Sequence, residues 1–68
     1  MLTAANARCQ SDILRAEQGV QYIIEQQRLN PGKFGNVAYM KPRLSVEAMQ
    51  ELRKRGFIVG GEGDFISW

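Results

Sequence analysis

Sixty-eight residues make one small domain, and a chain of that size buries only about 60% of the surface it exposes when unfolded. One cysteine excludes an intrachain disulfide, and the lack of any histidine removes the commonest acid–base group and zinc ligand. The net charge of +2 is uneven: residues 1–27 carry −1, residues 28–55 carry +5 and residues 56–68 carry −2. A basic middle between acidic flanks suits an anionic ligand or head-to-tail self-association. Scaffolds below roughly 70–80 residues usually draw on metals, disulfides, oligomerisation or very good helix packing, so self-association is expected here.

The first element is a long helix over about residues 4–28, with Thr3 as its N-cap and Asn30-Pro31-Gly32 as its stop. Cys9, Ile13, Ala16, Val20 and Ile23 recur at spacings of 4, 3, 4 and 3, a helical seam that Leu14 and Ile24 widen. Such a helix is about 37 Å long, whereas the second helix spans only about 15 Å. A short helix and a small sheet then leave Cys9, Ile13 and their neighbours facing water unless another copy covers them. The alternative is a break near Ser11-Asp12, with the shorter C-terminal part covered within one chain.

After a loop at Gly32-Lys33-Phe34-Gly35, a compact α/β unit is expected over about residues 36–68. Asn36 to Met40 reads as a short strand ended by Lys41-Pro42, because proline withdraws a ladder donor. Ser45 caps the second helix, Val46 to Arg55, and Leu44 and Met49 are placed for a hydrophobic staple around it. Met49 and Leu52 form its buried stripe, and Gly56 is its left-handed stop. Phe57-Ile58-Val59 and Phe65-Ile66-Ser67-Trp68 flank Gly60-Gly61-Glu62-Gly63-Asp64, a hairpin connection expected to be an ordinary solvated turn. Alternation groups Phe57 with Val59 and Ile66 with Trp68 beneath the helices. Ile58 and Phe65 then point to the opposite face, joined by Ala38 and Met40 or by Val37 and Tyr39. The fold class is therefore α+β, in the order α-β-α-β-β, with a three-stranded sheet covered on one face by helices. An apolar second face again suggests self-association.

The pattern carries no catalytic constellation. Cys9 lies on the apolar seam without a histidine base, which reads as a buried structural thiol. Glu62 and Asp64 lack the remaining spacing of a calcium loop. Gly60-Gly61-Glu62-Gly63 follows a strand but precedes no helix, and its acids repel phosphate. We therefore expect no catalytic residues, no metal and no cofactor. The best candidate surface for an anion or an acidic partner is basic: Lys41, Arg43, Arg53, Lys54 and Arg55. Three of these close a helix, where cations also complement the macrodipole, so nucleic acid is a disfavoured partner. Met1-Leu2-Thr3-Ala4-Ala5-Asn6 has neither the basic start nor the apolar core of a signal peptide, and no membrane span is expected. A lone cysteine fits a reducing compartment.

Two stretches carry a family likeness. Met1-Leu2-Thr3-Ala4-Ala5-Asn6-Ala7 at one end, and Leu52-Arg53-Lys54-Arg55-Gly56-Phe57-Ile58-Val59 with Ile66-Ser67-Trp68 at the other, resemble small proteins of tailed bacteriophages. In that group the N-terminal helix often starts Met-x-Thr-Ala-x-x-Ala, and the end reads Leu-x-x-x-Gly-Tyr/Phe-x-Val, a short spacer and Ile-Ser-Trp. Asn30-Pro31-Gly32-Lys33-Phe34-Gly35 departs from the pattern. The resemblance implies viral origin and a location in the virion or the host cytoplasm, and it carries over no site residues. The combined expectation is a non-enzymatic, virion-associated, homo-oligomeric interaction module, contacting its copies through Cys9, Ile13, Ala16, Val20 and Ile23, and through Tyr39, Ile58 and Phe65. The alternatives are a host-directed inhibitor or anti-defence protein that binds a host factor or a small anionic signal, and, more weakly, a nucleic-acid-binding protein.

Overall fold

The computed structural model describes residues 2–68 and has the order α1 (Ala4–Leu29), β1 (Val37–Tyr39), α2 (Val46–Lys54), β2 (Ile58–Val59) and β3 (Phe65–Ser67). This is the expected α+β layout, with strands somewhat shorter than the apolar runs suggest. Helix α1 is a single unbroken rod of 26 residues, so the alternative of a break at Ser11 does not hold. Its start is set locally, because Thr3 Oγ1 accepts the Asn6 N–H at 3.1 Å. At the far end the Asn30 N–H reaches the Gln26 carbonyl at 2.8 Å.

Helix α2 is defined at both ends by its own sequence. Ser45 Oγ accepts from the Ala48 N–H at 3.4 Å, and the staple residues Leu44 and Met49 are both buried. At its C-terminus Gly56, with φ +93°, closes a Schellman motif. There the Phe57 N–H bonds to the Leu52 carbonyl at 3.1 Å and the Gly56 N–H to the Arg53 carbonyl at 3.0 Å.

The sheet order is β1-β3-β2, antiparallel throughout. Ala38, Ile66 and Val59 lie across from one another in register and are all buried. They meet Ala16 and Val20 of α1 and Ala48, Met49 and Leu52 of α2, while Phe57 and Trp68 pack against this core from the side. Leu52 and Ile66, both 0% exposed, are its largest sealed side chains.

The long helix finds its cover in a segment whose direction the sequence does not reveal. After Leu29 the chain reverses and runs back along α1. Gln27 Nε2 holds the returning loop through Asn36 Oδ1 at 2.6 Å and the Gly35 carbonyl at 3.3 Å. At Gly19 the strand comes so close that a Cβ there would stand 3.0 Å from Met40 Cε and 3.5 Å from Ala38 Cβ. Further along, Arg15 Nη1 donates to the Pro42 carbonyl at 2.7 Å, and Asp12 Oδ2 accepts the Ser45 N–H at 2.8 Å. The return thus spans α1 from Gln27 to Asp12, about 22 Å of helix. The seam expected to need a second copy is covered by the chain itself over this stretch.

Candidate functional site

The expected contact residues divide sharply by environment. Ala16 and Val20 are buried in the chain's own core, so neither is free to meet a copy; this corrects the expectation that they form an intermolecular seam. Cys9, Ile13 and Ile23 are half-buried and pack against that core. The physical reason is the returning β1 segment, which occupies the face on which a second helix would have lain. The large apolar side chains that α1 does expose are Leu14, Tyr22, Ile24 and Leu29, with Leu2 just ahead of it.

The sheet behaves differently. Its outer face carries Val37, Tyr39, Ile58, Phe65 and Ser67, so of the two alternatives for β1 it is Val37 and Tyr39 that join Ile58 and Phe65 there. Tyr39 is 78% exposed and Ile58 64%. The Tyr39 and Phe65 rings, opposite each other in register, stand 6.3 Å apart at 55°. The Phe65 ring also fills the space that a Cβ would take at Gly60, which ties the outer layer to the end of β2. Three short strands thus display an outer apolar surface, half-buried at Val37 and Phe65 and open at Tyr39 and Ile58, over which no helix of the described residues lies.

Beside that face lies an open hollow of about 990 Å³, lined by Tyr39, Met40, Lys41, Pro42, Arg43 and Asp64. A smaller one of about 220 Å³, lined by Arg15, Gly19, Tyr39, Met40 and Lys41, sits along β1 on the α1 side. The Lys41–Pro42 peptide bond between them is cis. Lys41 has no carboxylate partner among the described residues, whereas Arg43 is paired with Glu62, both largely exposed.

The expected basic surface is not one site. Lys41 and Arg43 border the hollow, while Arg53, Lys54 and Arg55 sit at the opposite end of α2. Arg55 is held by Glu17 of α1 at 2.9 Å and by Glu51 at 3.6 Å. Arg53 Nη2 donates to the Val59 carbonyl at 3.4 Å. Two of the three terminal cations therefore serve the fold, which leaves Lys54 and Lys41 with neither an ion pair nor a side-chain hydrogen bond among the described residues.

The glycine-rich connection leaves Gly61, Glu62 and Asp64 exposed, as a solvated turn would, but Gly60 and Gly63 are buried against the fold. The Leu44 N–H donates to the Gly63 carbonyl at 2.9 Å and the Met40 N–H to the Asp64 carbonyl at 2.7 Å. At Gly63, with φ +89°, a Cβ would lie 2.9 Å from both the Leu44 carbonyl oxygen and Met49 Sδ. Only glycine lets the turn approach the start of α2 this closely. Glu62 and Asp64 remain exposed, and no cluster of three possible metal ligands occurs among the described residues.

Asp12 is a structural residue that sequence reasoning passes over. It is buried, bonded to Arg15 Nη2 at 2.8 Å and to the Ser45 N–H at 2.8 Å. Burial pushes its carboxyl pKa up, but the hydrogen bonds from Arg15 and Ser45 outweigh this and hold it below the usual aspartate value. The available signal was its place one turn before Ala16 on the buried side of α1, with Arg15 three residues on.

No helix among the described residues is long and apolar enough to cross a membrane. No protein-family model, curated protein or solved structure matches the chain.

Proposed function

We propose that this protein is a non-enzymatic interaction module of a tailed bacteriophage, associated with the virion, and that it works as a homo-oligomer joined through its sheet. The supporting observation is the outer face of Val37, Tyr39, Ile58 and Phe65, which stays open although the inner face is sealed. A contiguous apolar patch of this kind on a small protein marks an interaction surface. The likeness of both chain ends to small tailed-phage proteins supports the viral setting, and the absence of histidine from the sequence supports a role without acid–base catalysis.

Sedimentation at micromolar concentration tests the reading, with a defined oligomer expected for the natural chain and a folded monomer for the double variant Tyr39→Lys, Ile58→Lys. A folded monomer of the natural chain would overturn it. Recovery of the protein with purified particles, rather than only in infected-cell cytosol, tests the virion assignment.

A second reading has its own observation. Lys41, unpaired among the described residues and bordering the 990 Å³ hollow beside exposed Tyr39, suits a host-directed inhibitor that captures an acidic segment or a small anion. Presence in infected cytosol and absence from particles would favour it over the first.

A further inference from the structure

The open edge of β1 narrows the self-association reading to a particular joint, and the inference rests on that reading. In the order β1-β3-β2, strand β1 has β3 on one side only. The Trp68 N–H donates to the Asn36 carbonyl at 3.2 Å and the Met40 N–H to the Asp64 carbonyl at 2.7 Å, so the even-numbered residues of this stretch turn their backbone groups toward β3 and its flanks. Alternation then points the N–H and C=O groups of Val37 and Tyr39 away from the sheet. Neither residue's backbone has a partner outside the sheet among the described residues. A hollow of about 220 Å³, shared by Tyr39, Met40 and Lys41 with Arg15 and Gly19, leaves space between α1 and the Tyr39 end of the strand. Unpaired groups at every second residue of an extended chain are matched by another extended chain.

We propose that β1 pairs antiparallel with β1 of a second copy about a two-fold axis at Ala38, joining two three-stranded sheets into one of six. The segment is self-complementary in this register. Val37 of each copy faces Tyr39 of the other, and the pairs exchange four main-chain hydrogen bonds. Ala38 meets its own counterpart, where the backbones approach to about 4.5 Å. Each Val37–Tyr39 cross-strand pair sets a β-branched side chain against an aromatic ring on the outer face, a favourable combination. A slip of one residue would set inner against outer side chains, so the register is specified.

No charge falls within the paired stretch from Asn36 to Met40. Lys41 lies opposite Gly35 of the second copy, and Pro42, which lacks an N–H, ends the pairing. The joint also makes the two outer apolar faces continuous. A foreign strand would meet the backbone equally well; a second β1 is favoured because its Val37 and Tyr39 extend the apolar outer face and its small Ala38 extends the sealed inner one.

Amide hydrogen exchange together with sedimentation tests the joint. In the dimer the Val37 and Tyr39 amides should exchange about 100-fold or more slowly than on dilution to monomer, a protection that an edge strand open to water does not give. A dimer in which both amides exchange as fast as those of the exposed Phe34–Gly35 loop overturns the β1 joint and leaves self-association standing. A natural chain that stays monomeric overturns both.

Val37→Pro supplies the second arm, since proline is accepted on an edge strand whose N–H faces outward. It should keep the helical circular dichroism and lose the dimer; a folded Val37→Pro variant that still dimerises overturns the joint. Should that variant fail to fold, amide exchange on the natural chain alone supports or overturns the joint.

Discussion

The two faces of one three-stranded sheet meet opposite fates. On the inner face Ala38, Ile66 and Val59 are sealed by two helices, and small side chains on both sides let the elements approach closely. On the outer face, one residue along each strand, Tyr39 and Ile58 are as exposed as surface polar groups. Both faces are apolar, so hydrophobicity alone does not tell core from surface. The number of covering elements does, and one chain of this length supplies enough for one side only. Stability therefore resides on one face, and the proposed binding surface is the other.

Substitutions should separate the two. The largest effect is expected on the inner side: Leu52→Ala empties a fully buried site and should cost about 2–5 kcal/mol, measured by urea unfolding, enough to threaten so small a domain. Next comes Asp12→Ala, which leaves the Ser45 N–H and Arg15 without their acceptor and should cost about 1–3 kcal/mol.

The same carboxylate makes a pH test. Its pKa is lowered in the fold, so its contribution is present above the unfolded value of about 4 and is lost as pH falls through the folded value. Thermal melts between pH 6 and pH 2 should show an acid decline that is weaker in Asp12→Asn, whereas an unchanged decline would mean that other carboxylates govern it. Ser45→Ala, which deletes the α2 cap, should lower stability by about 1 kcal/mol in the same unfolding assay.

The smallest effect on folding belongs to the outer face. Tyr39→Lys, at a position 78% exposed, should change the stability of the dilute chain by less than about 0.5 kcal/mol while weakening association measured by sedimentation. If it instead destabilises the dilute chain as much as Leu52→Ala, the outer face belongs to the core and the contrast between the faces fails.

Elements whose signals are local were legible without coordinates. Thr3 and Ser45 cap the two helices, Gly56 stops the second, and the Leu44–Met49 staple lies where the spacing puts it. The same is true of the inward pairing of Val59 with Ile66. Capping, left-handed stops and strand alternation act within a few residues, so composition at fixed offsets reports them.

Features that join distant parts of the chain were not legible. The seam through Ala16 and Val20 was visible as apolar, but its occupant was not, because nothing in its spacing distinguishes a returning strand from a second helix. The five cations looked like one patch in the sequence and are two in space, because α2 holds Lys41 and Arg43 ahead of one end and Arg53, Lys54 and Arg55 at the other, where Glu17, 38 residues away, pairs with Arg55. The docking of the glycine-rich turn was hidden because its backbone partners, Met40 and Leu44, lie about twenty residues upstream.

By itself the order of residues determined the α-β-α-β-β layout and the helix ends, both consequences of near-neighbour chemistry. Only the tertiary structure decided that β1 would run back along α1 and leave the outer sheet face and the β1 edge without a partner among the described residues. That choice depends on how closely two remote backbones can approach, at Gly19 against Met40 and at Gly63 against Leu44, and such approach distances are set by the packed whole.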